Sequence, residues 1–371
     1  MKAPSKVYFT DMRTRPGRGM LAKLDLLLKK AGIEKIDYKN KYTAIKIHFG
    51  EPGNLAFIRP NYAALVVKRI QSLGGKVFLT DCNTLYFGKR GNAIDHLQSA
   101  MENGFNRIAV GCDVIIADGL EGADCEEIPI NLKHVKKAKI GNALAQADVI
   151  VSLNHFKGHE NTGFGGALKN IGMGGGSRKG KLEMHSASKP KIEEKMCVEC
   201  GTCIRYCPQK AIAYNQHHKA EINYDLCIGC GQCIASCHYG AAQPRWDSGT
   251  VNLCEKIAEY AFAVLNEKPN FHVNFIMNVS PNCDCWDIND QAIVPDIGIA
   301  ASFDPVALDR ACVDLVNQAL PIQGSLVTGH GWKPGKDKFN TMFPNVHWEY
   351  CLDHAEEIGL GQQKYQFIEV K

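Results

Sequence analysis

The chain has 371 residues, 45% hydrophobic and 22% charged, as expected for a folded protein of two or three domains or one large domain with an insert. Its net charge of +4 comes without an arginine-rich run or zinc-finger spacing, so no nucleic-acid partner is expected. It has no stretch of about 18 apolar residues to span a bilayer. The opening MKAPSKVYFTDMRTRPGRGM lacks the apolar core of a signal peptide, so the expected place is the cytoplasm, without membrane contact.

The first recognisable strand is YTAIKIHFG (42–50). NYAALVVKRIQSLGG (61–75) follows as a helix ending at Gly74 and Gly75. KVFLTD (76–81) is a strand and AIDHLQSAMENGF (93–105) a helix. CDVIIADG (112–119) and ADVIVSLNHF (147–156) are further buried strands. Strands alternating with helices of this length imply βαβ units around a mainly parallel sheet.

The last of these strands runs into HFKGHENTGFGGALKNIGMGGG (155–176). In a doubly wound sheet, ligands bind at the carboxyl ends of strands. His155 and His159 are therefore candidate ligand or metal contacts. The helical zinc-protease pattern is not met, because Gly158 intervenes and no glutamate follows His155. Gly163, Gly165, Gly166, Gly172, Gly174, Gly175 and Gly176 offer backbone N–H groups beside Lys157, Lys169, Arg178 and Lys179. Such a segment can hold an anion, with Lys157, Lys169 and Arg178 in contact. Glycine serves equally well for close backbone approach between the α/β domain and an inserted module. GGSRKGKL (175–182) fits G-x-x-x-x-G-K, but Leu182 stands where Ser or Thr would hold magnesium. No strand leads into it and no clear helix follows, so a nucleotide loop is not expected.

GSRKGKLEMHSASKPKIEEK (176–195) reads as a polar, basic linker. Beyond it lie the most specific motifs. The chain has 16 cysteines, and without an export signal they suggest metal binding rather than disulfides. CVECGTCIRYCP places Cys197, Cys200, Cys203 and Cys207 before Pro208. CIGCGQCIASCH places Cys227, Cys230, Cys233 and Cys237 before His238. Both runs are C-x2-C-x2-C-x3-C, the spacing of bacterial two-cluster ferredoxins. Three thiolates wrap one cube and the fourth reaches the other. One 4Fe-4S cluster is expected on Cys197, Cys200, Cys203 and Cys237, the second on Cys227, Cys230, Cys233 and Cys207. Structural zinc is the competing reading, though zinc rarely uses this order. Two clusters would each add roughly −2 and bring the protein near neutrality.

AAQPRWDSGT (241–250) reads as a loop that closes the insert. TVNLCEKIAEYAFAVLNEK (250–268) has helical apolar spacing and NFHVNFIMNV (270–279) is a strand. In NCDCW (282–286), Cys283 and Cys285 would point the same way on an extended segment. Cys82 and His48 end other strands and could converge with them. Cys283, Cys285, Cys82, His48, His155 and His159 are thus candidates for an additional metal, cluster or redox-active thiol site. Cys112, Cys254 and Cys312 suit core packing, and Cys125 and Cys351 have no clear context. In DPVALDRACVDLVNQAL (304–320), Asp304 is the expected N-cap and Pro305 the first helical residue. Residues 321–371 are left unassigned. The expected fold class is α/β: a discontinuous, mainly parallel-sheet domain (1–188 and 245–371) with an inserted α+β bacterial ferredoxin-like module (189–244).

KIHFGEPGN (46–54), TDCNTLYFGKR (80–90), HFKGHENTGFGGALKNIGMG (155–174), the cysteine runs, NCDCW and DPVALDRACVDL (304–315) together carry a resemblance. The chain resembles the domain-of-unknown-function family numbered 362, in the subgroup whose α/β domain carries a two-cluster ferredoxin insert. The resemblance implies a cytoplasmic iron–sulfur protein of the kind typical of anaerobes, with no agreed substrate. The expected function is electron relay between a low-potential redox partner and a site on the α/β domain. One alternative is an oxidoreductase acting there on a small molecule or a bound cofactor, a flavin among the candidates. Another is a metal or cluster carrier. Oligomeric state is not legible.

Overall fold

The computed structural model describes residues 3–85, 88–185, 189–207, 209–227, 233–234, 237, 239–243 and 249–371. Its main sheet has eight strands: β1 (Ser5–Asp11), β2 (Tyr42–Ile47), β3 (Lys76–Asp81), β4 (Asp113–Ile116), β5 (Val149–His155), β6 (Asn270–Ile276), β7 (Gly298–Ser302) and β8 (Tyr365–Glu369). Their order is β8-β1-β7-β6-β5-β2-β3-β4. β7 runs antiparallel to its neighbours β1 and β6, and the other pairings are parallel. The fold is therefore α/β with a mainly parallel sheet. Stretches before and after residues 189–243 contribute strands to the same sheet.

Helices cover both faces: α1 (Met20–Ala31), α2 (Pro60–Ser72), α3 (Ala93–Glu102), α4 (Ala167–Gly175), α5 (Arg178–His185), α6 (Thr250–Leu265), α7 (Pro305–Gln318) and α8 (Glu349–Glu357). This explains why β5 opens on the apolar run Val149–Val151 and is buried along its whole length, with Ser152 and Asn154 hydrogen-bonded inside to His272 and Asn274. Val149, Val151 and Leu153 pack into one core with Leu24 and Val66. Ile150 faces the opposite core, with Ile171, Ile257 and Leu308. Local chemistry sets the helix starts. Asp304 Oδ1 accepts the Val306 and Ala307 N–H groups at 2.9 and 3.0 Å, and Pro305 opens α7. At α3, Asn92 accepts the Asp95 N–H.

Several elements carry no clear sequence signal, among them β7, β8 and α5. β7 is GIAAS, fully buried but without β-branched enrichment beyond one isoleucine. β8 lies in the unassigned C-terminal stretch and pairs with β1. α5 replaces the expected linker over 178–185. Its periodicity is weak because Arg178 and Lys181 are buried there, held by carbonyl partners rather than by solvent.

The glycines of the 155–176 stretch serve close packing within the sheet-bearing part, rather than against the inserted segment. A Cβ on Gly158 would stand 2.2 Å from Pro281 O, and one on Gly166 2.3 Å from Asp309 Oδ1. Gly172 lets α4 approach α6, where a Cβ would stand 2.2 Å from Ile257 O. Backbone cannot swing aside as a side chain can. Gly172→Ala is therefore expected to cost about 1–3 kcal/mol in denaturant unfolding; an unchanged midpoint would contradict this contact.

In the segment from 189 to 243, Lys191–Ile192 pairs with Ala242–Gln243, setting the segment's two ends side by side. Ile212–Tyr214 pairs with Ala220–Ile222. A small core of Ile212, Ile222, Cys233 and Ile234 closes over Leu85 and Leu182 of the sheet-bearing part. Pro208, Cys230 and His238 lie outside the described residues. Among the described residues, no helix is long and apolar enough to cross a membrane.

Candidate functional site

The chain runs β2, β3, β4 outward along the sheet and then returns to place β5 beside β2. Such a reversal opens a crevice at the strands' carboxyl ends. Here it is a cavity of about 1400 Å³. His48 follows β2, Cys82 follows β3 and His155 ends β5, and all three line it. So do Lys157, His159, Lys169, Arg178, Cys285 and, from the inserted segment, Cys237.

Against His155 and Lys157 of the cavity wall lies Asp284, fully buried between the two cysteines of NCDCW. His155 Nδ1 is 2.8 Å from its Oδ2, and Lys157 Nζ is 2.9 Å away. Burial opposes the charge on Asp284, but His155 and Lys157 outweigh it and hold the carboxyl far below the usual range. The other ring nitrogen of His155 faces Met277 O at 2.9 Å. Both ring nitrogens of His155 are thus engaged by protein oxygens. In this arrangement His155 holds the NCDCW loop beside β5.

His159 has a different setting. One ligand atom each from His159, Cys283 and Cys285 lie within 4.8 Å of one another. This set and the 16 cysteines are compatible with a metal cofactor. Lys169 Nζ stands 2.9 Å from Cys283 Sγ. Burial favours the neutral Cys283 thiol. The Cys285 hydrogen bond, the Lys169 charge and the His159 hydrogen bond overcome it and hold Cys283 well below the ordinary thiol range. The same hydrogen bond, with burial and the charge on Cys283, pushes Cys285 well up. The surroundings thus favour a thiolate at Cys283 and a thiol at Cys285.

The remaining expected contacts sit apart from that set. Cys82 is buried and its thiol donates to Gly175 O at 3.4 Å, with burial raising its pKa. Burial, then the Arg90 charge, keeps His48 neutral. His48 Nδ1 accepts the Gly50 N–H at 3.0 Å, so its remaining nitrogen carries hydrogen. Each cation expected to meet an anion already has an internal partner: Lys157 has Asp284, Lys169 has Cys283, and Arg178 donates to Gly91 O and Ile234 O at 2.7 and 3.0 Å. Sequence reasoning missed Asp284, Glu51 and Arg90. Arg90 Nε meets Glu51 Oε2 at 2.7 Å in the cavity wall. A charged residue between two cysteines was the one available signal for Asp284.

The family model described as a domain of unknown function, DUF362, matches residues 43–314. The chain belongs to that family. No curated protein matches it. Among solved structures, it is similar to the lactate racemase apoprotein from Thermoanaerobacterium thermosaccharolyticum, at 13% identity and TM-score 0.35, over 75% of this chain and 53% of that one. It is also similar to a Thermotoga maritima protein, at 14% identity and TM-score 0.40, over 83% of this chain and 61% of that one.

In this DUF362 chain the cysteine-rich segment has its own geometry. Cys197, Cys200, Cys203 and Cys237 line one small cavity. Burial first, then Cys237, Cys197 and Cys200, push the Cys203 thiol up to about 11. Cys207, Cys227 and Cys233 lie in or against the small core. Cys207 Sγ accepts the Ala211 N–H at 3.2 Å.

Proposed function

We propose that the protein is an iron–sulfur redox protein in which two 4Fe-4S clusters, held in residues 189–244, relay electrons to or from the cavity on the α/β domain. The observation that carries this reading is the double position of Cys237. It lines the small cavity with Cys197, Cys200 and Cys203, and it lines the large cavity with His159 and Cys285. Those four thiols would hold one cluster, and Cys207, Cys227, Cys230 and Cys233 the second. Bound there, each cluster supplies storage for one electron at a time.

The protein's part is to bury the sulfurs and aim N–H groups at them, as Ala211 does toward Cys207. These are the levers that set a cluster's potential. Arg178 ties Ile234, three residues before Cys237, to Gly91 in the cavity wall. That bond keeps the segment seated on the cavity. The size of the cavity, about 1400 Å³, favours an oxidoreductase reading, with a small substrate or organic cofactor receiving the electrons. A low-potential donor or acceptor protein would exchange electrons with the exposed side of the segment, where Cys200 lies, and the cytoplasm is the fitting place for such chemistry.

Cys237→Ser tests the link. It is expected to remove or displace one of two reduction waves in an anaerobic redox titration and to leave the other in place. Two unaltered waves would contradict the assignment of Cys237.

A further inference from the structure

We propose that Cys283 and Cys285 are a redox-active dithiol pair that exchanges electrons two at a time with the contents of the cavity. The proposal rests on the electron-relay reading, which supplies the reductant as two reduced clusters. In the reductive step the Cys283–Cys285 disulfide bond breaks. It accepts two electrons, one from each cluster, and one proton from the water-accessible cavity. Cys285 takes the proton as a thiol. Cys283 leaves as a thiolate beside the Lys169 ammonium. Both clusters are oxidised by one electron, and charge and atoms balance.

Four observations support the pair. Trp286 N–H donates to Cys283 O at 3.2 Å, closing a tight turn that folds the two cysteines together. Within that turn Cys285 N–H donates to Cys283 Sγ at 3.4 Å. The sulfurs lie within 4.8 Å of each other, so a modest closing movement reaches bonding distance. Cys283 is 1% exposed, which protects it from stray oxidants, while Cys285 opens onto the cavity shared with Cys237.

The same surroundings oppose a metal ion at this point. Lys169 Nζ, 2.9 Å from Cys283 Sγ, puts a cation where a second cation would have to sit, in a buried place that screens little. His159 Nδ1 accepts the Asn161 N–H at 3.1 Å. An ammonium and an imidazole N–H are suited to a thiolate that leaves and re-forms a disulfide.

The test uses the full chain, purified without oxygen, then oxidised mildly and titrated with a low-potential reductant. The wild type is expected to take up about four electrons per chain, and a Cys283→Ser/Cys285→Ser variant about two. Alkylation and mass spectrometry should find the 282–286 peptide unalkylated in the oxidised wild type and doubly alkylated after reduction. This peptide measurement needs no variant and holds even if the double substitution misfolds. Uptake of about two electrons by both proteins, with alkylation unchanged, would overturn the pair while leaving the clusters in place. A metal ion released by the double substitution would also overturn it. Uptake of about two electrons by the wild type that opens only the disulfide would overturn the cluster reading instead.

Discussion

Asp284→Asn is expected to destabilise the protein by about 3–5 kcal/mol at neutral pH, the cost of breaking a buried pair from one side. Asp284 is fully buried and meets His155 and Lys157 at 2.8 and 2.9 Å. The amide would leave the buried Lys157 ammonium without its counter-charge and His155 Nδ1 without its carboxylate partner. Asn keeps the shape, so packing changes little and the loss is electrostatic. The pH dependence follows from the depressed carboxyl. Below the ordinary carboxylate range near pH 4, the unfolded chain binds the proton and the native state does not. Stability from this group is thus present above about pH 4 and is lost as the pH falls further. The wild type should show this acid limb in denaturant unfolding, and Asp284→Asn should lack its share. A loss under about 1 kcal/mol would mean that the pairs form on an accessible surface rather than in the core.

Arg178→Gln should unseat the 189–243 segment, at a cost of roughly 3 kcal/mol and hence about a 100-fold faster cleavage within those residues in limited proteolysis. Arg178 is 7% exposed, and its guanidinium reaches Gly91 O and Ile234 O from the first turn of α5. A Cβ on Gly122 would stand 2.4 Å from Arg178 Cδ, so the side chain is enclosed along its stem as well. Burial lowers its pKa to about 10, which still leaves it charged at neutral pH. Lysine keeps the charge but lacks the planar fork, and it can meet one of the carbonyls at a time. Arg178→Lys should therefore fall between glutamine and wild type. Equal cleavage of all three proteins would show that the apolar contacts around Leu85 and Leu182 seat the segment without Arg178.

The legible parts of this protein are those whose partners lie nearby in sequence or follow a fixed period. β2, β3 and β5 announce themselves because a strand buried on both faces needs a continuous apolar run. α7 announces itself through Asp304 and Pro305. The cysteine runs are legible because their C-x2-C-x2-C-x3-C spacing occurs twice, and the clusters proposed for them would fix such a spacing. Of His48, Cys82, His155, His159, Cys283 and Cys285, expected to converge at one sheet edge, all but Cys283 line the same cavity, and Cys283 is buried beside it. Their chemistry was not legible in the same way. His155 looks like a ligand until Asp284 arrives from 129 positions away and occupies its ring. Lys169 looks like an anion contact until Cys283 arrives from 114 positions away. Short strands of small residues such as β7, and a helix that buries its charges such as α5, carry no period to read.

The central claim is that residues 189–244 hold two 4Fe-4S clusters. Its most direct test is iron and sulfide analysis of the anaerobically purified full chain, with electron paramagnetic resonance of the reduced form. The account predicts about eight irons and about eight sulfides per chain, and signals from two reduced cubanes. Zinc on the cysteines, or a chain without reducible clusters, would contradict it.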